Sequence, residues 1–290
     1  MVEINENVPL AQHTAYKIGG NADYFADATS SEQIPELIEF AHSKNIPFFM
    51  LGGGCNTVFS DKGFRGLVIH NKATKIEVHG SRIIAESGAM LAMVIAEARK
   101  HELGGIIKLV GLPGTIGGAI YGNAGAQGVE IGDFVESVEI YRPGQGIIEE
   151  QKEYFQFSYR TSILKQTKEI VLKVNLDLPN LDPEDVTTEV LQFRAQKQPK
   201  GKVAGSFFKN PTSTEAAGYL IDKAGLKGTR VGDIEVSQQH GNWLMNVGNA
   251  TQEDVIAMAK KLKQEVKNKF GADLEPENIL IDEFGNKIDI

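Results

Sequence analysis

Three polar side chains stand in short motifs whose residue types could support chemistry. Arg160 lies in the polar, aromatic stretch Ser-Tyr-Arg-Thr-Ser, and its planar guanidinium can bind a substrate carboxylate through two parallel hydrogen bonds. Ser206 lies between a glycine and two phenylalanines, where it forms no G-x-S-x-G elbow of a hydrolase but could donate a proton to a reacting carbon. Glu277 ends the run Leu-Glu-Pro-Glu. Taken singly, each has an ordinary alternative: an arginine that bridges surface carboxylates, a serine in a turn, a solvated glutamate.

Other polar residues are weaker candidates. The basic run over residues 194–202, which contains Lys197, could bind phosphates in an otherwise acidic protein or only complement a helix dipole. Lys209 and Asn210 follow Ser206 in the densest polar segment of the second half. His240 has no partner at metal-ligand spacing, so we expect no metal site.

Two glycine-dense segments, residues 51–57 and 111–125, could position a ligand between these side chains. Glycine lets backbone N–H groups approach a bulky anion and adopt positive φ where a concave nest requires it. Neither segment fits the Rossmann G-x-G-x-x-G pattern or the ending of a P-loop. A single cluster could be a tight turn. Because there are two, and the second contains Asn123, we interpret them as a cradle for a long cofactor such as a dinucleotide.

Composition limits the class of protein. The chain has 290 residues, 41% of them hydrophobic and 23% charged, which predicts a soluble globular protein of two or three domains. The net charge of -8 argues against non-specific nucleic-acid binding. A single cysteine, Cys55, fits a reducing compartment, and the sequence has neither a signal peptide nor an apolar run long enough to span a membrane. We therefore expect a cytoplasmic protein.

Hydrophobic periodicity predicts alternating helices and strands around the glycine segments. Predicted helices cover residues 30–45, 90–101, 184–196, 214–224 and 252–270, and predicted strands cover 46–51, 68–70, 75–79, 82–86, 135–141, 169–178, 234–237 and 242–247. The apolar stripes expected to face the core are Ile34, Leu37, Ile38 and Ala41, then Leu91, Val94, Ile95 and Ala98, then Ile256, Ala259, Leu262, Val266 and Phe270. Ser30 with Gln33 has capping-box spacing, and Thr251 with Asp254 should begin the last helix. A Pro- and Asn-containing linker places a domain boundary near residue 180.

Taken in order, these motifs resemble the UDP-N-acetylenolpyruvoylglucosamine reductases, over nearly the whole chain from residue 13 to residue 277. The motifs are His-Thr-Ala-Tyr-Lys-Ile-Gly-Gly at 13–20, Leu-Gly-Gly-Gly-Cys-Asn at 51–56, Ser-Asp-Lys-Gly-Phe-Arg-Gly at 60–66, Gly-Leu-Pro-Gly-Thr-Ile-Gly-Gly at 111–118, Asn-Ala-Gly at 123–125, Ser-Tyr-Arg at 158–160, Ala-Gly-Ser-Phe-Phe-Lys-Asn-Pro at 204–211, Ala-Gly-Tyr-Leu-Ile-Asp at 217–222 and Leu-Glu-Pro-Glu at 274–277. No long extra segment separates Arg160 from Lys197, and in this respect the chain resembles the shorter, type II subclass of the family.

The resemblance implies an α+β fold. A two-part FAD-binding domain of the vanillyl-alcohol-oxidase/PCMH type, residues 1–180 with parts of about 1–75 and 76–180, would precede a smaller α/β substrate-binding domain, residues 181–290. FAD would be bound non-covalently, NADPH would be the co-substrate, and the substrate would be UDP-N-acetylglucosamine-enolpyruvate, with no nucleic acid, membrane or metal as partner. Residues expected to hold FAD are Gly52, Gly53, Gly54, Cys55, Asn56, Gly111, Gly114, Thr115, Gly117, Gly118, Asn123, Ala124 and Gly125.

The same resemblance implies the roles of the polar residues. Ser206 would donate a proton, while Arg160 and Glu277 would bind and polarise the enolpyruvyl group. Lys197 and Asn210 match positions that contact the sugar nucleotide, and Tyr159 and Lys209 would be their neighbours in the pocket. Cys55 stands where a serine is usual in the family.

Two alternatives remain at this stage. Another FAD-dependent oxidoreductase of the same fold could act on a sugar or a lactone. A non-catalytic protein could bind FAD or a UDP-sugar as a sensor, although sensing does not need a proton donor.

Overall fold

The computed structural model describes residues 2–182, 187–212 and 215–290. The chain divides into two compact units. The first contains the residues up to Ile4 with Ala26–Gly53 and Ile69–Arg194, and the second contains Asn5–Phe25, Gly54–Val68 and Ala195–Ile290. Neither unit is continuous in sequence. The domain limits 1–180 and 181–290 stay predictions.

Helices and strands lie as follows. The strands are β1 (Asn5–Pro9), β2 (Asn21–Ala28), β3 (Phe48–Leu51), β4 (Thr57–Phe59), β5 (Phe64–Asn71), β6 (Ile76–His79), β7 (Arg82–Glu86), β8 (Gly125–Ala126), β9 (Val129–Glu130), β10 (Val135–Arg142), β11 (Gly146–Gln151), β12 (Ile170–Asp177), β13 (Arg230–Val231), β14 (Ile234–Val236), β15 (Leu244–Asn246) and β16 (Ile279–Ile281). The α-helices are α1 (Gln33–Ser43), α2 (Leu91–Lys100), α3 (Ile116–Gly122), α4 (Thr187–Lys197), α5 (Ala217–Lys223) and α6 (Gln252–Phe270). Short 3-10 helices cover Leu10–His13, Ile106–Leu109, Ile131–Phe134, Lys152–Phe155 and Ile163–Lys165.

The first unit is built on an antiparallel sheet of order β11-β10-β12-β7-β6. Its core forms where the apolar residues of β10 and β12 meet those of α2 and α3. The predicted stripes of α1 and α2 are buried as expected. The predicted pairing of Ser30 with Gln33 is wrong, because the Gln33 side-chain oxygen accepts from the backbone N–H and the hydroxyl of Thr29 instead.

The second unit packs α5 and α6 against the sheet β13-β14-β15 and the parallel pair β4·β16. Thr251 and Asp254 cap α6 reciprocally, as predicted. The predicted stripe of α6 is only partly right. Val255 and Met258 are fully buried, whereas Phe270 is 44% exposed. The apolar part of the buried face therefore begins at Val255, one residue before the predicted Ile256.

Several other predictions need correction. The helix α3 was not predicted, and neither were the strands β1, β2, β4, β8, β9, β11, β13 and β16. β1 pairs with β2 in antiparallel register, and the four-stranded sheet has the order β1-β2-β5-β3. The predicted helix at 184–196 begins outside the described residues, and its described part is α4 (Thr187–Lys197). The predicted helix at 214–224 begins too early, because Glu215 and Ala216 are not helical and α5 begins at Ala217.

A buried carboxylate joins β10 to the start of β12. The side chain of Glu169 is 5% exposed and accepts hydrogen bonds from Arg142 Nε at 2.5 Å, the Tyr154 hydroxyl at 2.7 Å and the Thr167 hydroxyl at 2.7 Å. Burial opposes the charged form of Glu169, but the hydrogen bonds from Thr167, Arg142 and Tyr154 outweigh it and lower the pKa of this carboxyl.

Replacing Glu169 with glutamine is expected to lower the free energy of unfolding by about 2 kcal/mol at pH 7, because charged hydrogen bonds are lost in a buried place. A lowered pKa in the folded state means that this stability is present above the pKa of the unfolded chain and is lost as the pH falls through the folded value. The difference between wild type and Glu169→Gln, measured by urea unfolding, should therefore shrink as the pH falls below the ordinary range of a glutamate carboxyl. Glu136→Gln, which removes the more exposed ion pair with Arg82, should change stability by less than ~1 kcal/mol. Equal losses in the two variants would contradict the prediction.

Candidate functional site

The two glycine segments meet inside the first unit. Gly52 follows β3, and a Cβ atom at Gly52 would lie 2.7 Å from the hydroxyl oxygen of Thr115. Thr115 in turn caps α3 by accepting from the backbone N–H of Gly118 at 3.3 Å. A side chain at position 52 would displace this cap. The glycine is therefore required for the two segments to approach each other.

Helix α3 has one packed face and one bare face. Gly117 lies on the packed face, where its N–H donates to the Ser87 carbonyl at 2.9 Å and a Cβ would come within 2.7 Å of the Ser87 side chain. On the other side of the helix, a Cβ at Gly122 would meet nothing within 4 Å, and one at Gly118 would meet only the capping hydroxyl at 3.5 Å. A Cβ at Gly114, which precedes the cap, would also meet nothing within 4 Å. Gly114 has φ +109°, which disfavours any other residue. Side chains at these positions would fill the space, so the bare face fits a bulky, flat cofactor.

The other glycine-segment residues have various surroundings. Gly53 is exposed, and Gly54 packs so closely on the His13 carbonyl that a Cβ would overlap it. Cys55 is partly buried, and burial raises the pKa of its thiol, which keeps it protonated at neutral pH. Gly111 lies against the aliphatic stem of Arg194.

The Asn123 side chain is buried and hydrogen-bonded within the protein, so it is not exposed to a ligand. The residue adopts a left-handed conformation at φ 44° and is 1% exposed. Its Nδ2 donates to Glu130 Oε2 at 2.6 Å and to the Ser158 carbonyl at 3.0 Å, while its Oδ1 accepts from the Gly132 N–H at 3.0 Å. The side chain thus holds the turn that carries Arg160. The backbone N–H groups of Asn123 and Ala124 also bond within the protein, to the Ile120 and Ala119 carbonyls, and the cofactor contacts expected of these two residues stay predictions.

Arg160 is fixed in an unusual conformation. Its φ of 54° lies in the left-handed region, where a residue with a Cβ is strained. Its Nη2 donates to the Gly125 carbonyl at 2.8 Å, its guanidinium lies 5.1 Å from the ring centroid of Tyr159, and its carbonyl accepts from Lys165 Nζ at 2.5 Å. Tyr159 itself is 49% exposed. These contacts orient the guanidinium, as bidentate recognition of a carboxylate requires.

In the second unit, Ser206 and Glu277 stand on adjacent segments. Phe208 and Pro276 form an antiparallel bridge, and the Glu277 N–H donates to the Phe207 carbonyl at 2.7 Å. The structure thus brings together two of the three predicted catalytic residues, although nothing in the local sequence pattern linked them.

The backbone next to Ser206 is held in place by its neighbours, whereas the Ser206 hydroxyl is not hydrogen-bonded to the described residues. Phe207 and Phe208 are fully buried and pack edge-to-face at 4.9 Å. Asn242, which sequence reasoning did not single out as functional, bonds both backbone polar groups of Phe208, at 2.9 and 2.7 Å. Ser206 is half-buried, and its hydroxyl makes no hydrogen bond to the described residues. Gly205 beside it has open space where a side chain would be. This hydroxyl is available to a ligand.

The carbonyl of Glu277 is held by the glycine segment. Asn56 Nδ2 donates to the Glu277 carbonyl at 3.0 Å, and Asn56 Oδ1 accepts from Asn278 Nδ2 at 2.5 Å. Asn278 also accepts from the hydroxyl of Tyr16 at 3.3 Å. Sequence reasoning missed Tyr16 and Asn278. The only signal was that each lies in or beside a quoted motif.

Of the remaining predicted residues, Lys209 and Asn210 have structural partners of their own. Lys197 is exposed at the end of α4. Lys209 Nζ pairs with Glu275 Oε1 at 2.5 Å, and Asn210 Oδ1 accepts from the Ala217 N–H at 3.1 Å, where α5 begins. Their binding roles stay predictions.

Metal-binding clusters and membrane-spanning helices are both absent from the part of the chain that the structure describes. Over residues 2–182, 187–212 and 215–290, no group of three or more His, Cys, Asp or Glu side chains could hold a metal ion. In that same part of the chain no helix combines the length and apolar character needed to cross a bilayer.

Comparison with known proteins gives two family matches in chain order. Residues 22–150 match the FAD binding domain family, and residues 196–281 match the C-terminal domain of UDP-N-acetylenolpyruvoylglucosamine reductase. Reductases of that name from Caldanaerobacter subterraneus subsp. tengcongensis and Clostridium novyi are 41% and 38% identical, covering 96% and 97% of this chain and 93% of each relative.

A solved structure is also similar. The UDP-N-acetylenolpyruvylglucosamine reductase of Thermus caldophilus superposes with a TM-score of 0.79 at 32% identity, covering 97% of this chain and 98% of that one. The predicted α+β fold, with an FAD-binding domain followed by a smaller C-terminal domain, is confirmed, and so is FAD as the cofactor.

Proposed function

The chain belongs to the UDP-N-acetylenolpyruvoylglucosamine reductase family, and we propose that it reduces UDP-N-acetylglucosamine-enolpyruvate to UDP-N-acetylmuramate, with NADPH as hydride donor, in the cytoplasm. The observation that carries the assignment of roles is the uncommitted Ser206 hydroxyl on a segment bonded to Glu277. A UDP-sugar substrate and a single partly buried thiol support a cytoplasmic place of action.

The reduction adds a hydride to the terminal methylene carbon of the enolpyruvyl ether and a proton to the carbon that bears the carboxylate. When bound, FAD supplies a two-electron carrier between NADPH and this double bond. Negative charge develops on the substrate as an enolate, which a fixed polar environment stabilises without reorganisation. Arg160 binds the carboxylate with its oriented fork, and Glu277 polarises the group. Ser206 donates the proton. A serine hydroxyl is a weak acid in water, so it can act only against a base as strong as this enolate.

The residues that hold FAD are proposed from the bare face of α3. Backbone groups of residues 52–56 and of Gly114 and Thr115 hold the pyrophosphate and its neighbours. Gly118 and Gly122 leave room for the flat part of the cofactor. We add Gly122 to the proposed set, because a Cβ there, like one at Gly114, would meet no atom within 4 Å.

Replacing Gly118 with leucine is expected to weaken FAD binding roughly tenfold or more, at least 1.4 kcal/mol, while the apo-protein stays folded. The new side chain would enter the open face, and leucine favours a helix over glycine by about 1 kcal/mol. The matched control is Gly117→Ala, one residue earlier on the packed face, which should instead destabilise the fold because its Cβ would lie 2.7 Å from the Ser87 side chain. FAD titration followed by fluorescence, with thermal unfolding of the apo-protein, measures both effects. Unchanged FAD affinity in Gly118→Leu would mean that the cofactor does not use this face.

The proposed function is tested by anaerobic absorbance of the FAD-loaded protein, first with NADPH and then with UDP-N-acetylglucosamine-enolpyruvate. We expect the flavin spectrum to bleach with NADPH and to return with the enolpyruvyl substrate. Bleaching that only oxygen reverses would instead favour another flavin oxidoreductase. A protein that binds flavin but reacts with neither compound would favour a sensor.

A further inference from the structure

We propose that Asn278 is a positioning residue that fixes Glu277 for the reaction through Asn56; this rests on the proposed function of Glu277. Asn56 belongs to the glycine segment for which only cofactor binding was predicted. Its side chain and backbone instead bond three consecutive residues. Nδ2 donates to the Glu277 carbonyl at 3.0 Å, Oδ1 accepts from Asn278 Nδ2 at 2.5 Å, and the backbone carbonyl accepts from the Ile279 N–H at 2.8 Å.

These bonds extend a strand pair up to the reacting residue. The parallel pairing of β4 with β16 begins where Thr57 lies opposite Ile279. Backbone pairing alone would leave Glu277 two residues outside this register. Asn56 covers that distance with its side chain. Together with the bond from the Glu277 N–H to the Phe207 carbonyl, it occupies both backbone polar groups of Glu277. The direction in which the carboxylate leaves the backbone is therefore fixed.

Asn278 controls the orientation of the Asn56 side chain, and therefore whether its amide can donate to the Glu277 carbonyl. Asn278 is 1% exposed, whereas Asn56 lies at the surface, where water could compete for its amide. The Asn278 amide donates to Asn56 Oδ1 and accepts from the Tyr16 hydroxyl. Tyr16 is fully buried, and burial raises the pKa of its hydroxyl, so it remains a neutral donor. The Ala204 backbone carbonyl, which can only accept, receives a further hydrogen bond from Asn278 Nδ2 at 3.4 Å, so this amide has a single orientation here. That orientation leaves Asn56 Nδ2 for the Glu277 carbonyl.

The inference predicts a specific kinetic effect, because a displacement of about 1 Å in a reacting group can slow a reaction by about 10²-fold. Asn278→Leu, which keeps the branching and the number of side-chain heavy atoms and removes the amide, should slow the return of flavin absorbance with the enolpyruvyl substrate about tenfold. The rate of bleaching by NADPH should stay within twofold of wild type. Measurements are made by anaerobic stopped flow at saturating FAD, so that altered cofactor affinity does not enter.

A double-mutant cycle separates positioning from a general loss of structure. If Asn278 acts through the Glu277 carboxylate, Asn278→Leu should cause no further slowing beyond about twofold in a Glu277→Gln background. Multiplied effects in the double variant would overturn the proposal. Tyr16→Phe, which removes only a hydroxyl, should slow the substrate-driven step several-fold in the wild-type background and cause no further slowing in the Glu277→Gln background. This variant provides the test if Asn278→Leu does not fold.

The matched control is Gln252→Leu. Gln252 is also a buried amide, and its Nε2 bonds the Val58 and Ile281 carbonyls at 3.0 and 2.9 Å, towards the other end of the same two strands. If this variant slows the substrate-driven step as much as Asn278→Leu, the effect is general loosening and the proposal is wrong. Failure of the proposed function would look different, because the wild-type protein itself would then show no return of absorbance with the substrate. An active wild type with an unaffected Asn278→Leu overturns only the present inference.

Discussion

Replacing Ser206 with alanine is expected to leave the bleaching of the flavin by NADPH nearly unchanged and to slow its return with the enolpyruvyl substrate by about 10³-fold or more. Proton donation by a positioned group contributes typically ~10²–10⁴-fold. The fold should tolerate the change, because the hydroxyl makes no hydrogen bond to the described residues and the neighbouring phenylalanines supply the anchoring. Anaerobic stopped-flow absorbance resolves the two half-reactions.

Two further measurements distinguish proton donation by Ser206 from a role in shaping the pocket. Ser206→Cys keeps a proton on a side chain of similar size and should recover part of the substrate-driven rate. A solvent isotope effect on that step should be present in wild type, because a proton moves there. If Ser206→Ala slows both half-reactions equally, the residue shapes the pocket and is not the proton donor.

Local periodicity predicted the long helices well. The stripes of α1 and α2 and the start of α6 follow from apolar spacing and a capping box, both of which act within a few residues. Helix α3 was missed because it is short and contains three glycines in seven residues, which lowers its intrinsic helix propensity. Its position depends instead on the Thr115 cap and on close packing of Gly117 against Ser87, which no local pattern records.

The site was predictable only in part, for a related reason. On residue type alone, each of Arg160, Ser206 and Glu277 had an ordinary structural interpretation, and for Glu277 this was a solvated residue close to the chain end. What places Glu277 are hydrogen bonds to Phe207 and Asn56, and the second of these spans 221 positions of sequence. Such long-range bonds also explain why the compact units are discontinuous. The resemblance of ordered motifs predicts a role for Glu277, whereas the residues that hold its backbone could be identified only from the structure.

Replacing Arg160 with methionine is expected to lower kcat/KM for the enolpyruvyl substrate by about 10²–10³-fold, because removing one partner of a buried charge pair typically costs about 2–5 kcal/mol. Arg160→Lys should recover part of the loss, since an ammonium keeps the charge but cannot reproduce the planar fork. Neither replacement is a glycine, so both keep the same strain at φ 54°, and both lose the bond to the Gly125 carbonyl. The difference between the two variants therefore isolates the charge.

The split between kcat and KM then decides what Arg160 does. If the guanidinium only binds the carboxylate, KM rises and kcat holds; if it also stabilises the developing enolate, kcat falls with it. We expect both to change, because the charge it faces grows as the proton-accepting carbon becomes electron-rich. Thermal unfolding of the FAD-loaded variants shows whether the substitutions destabilise the turn at residues 158–162. Loss of FAD in both variants with equal kcat/KM for lysine and methionine would show that Arg160 serves that turn and not the substrate.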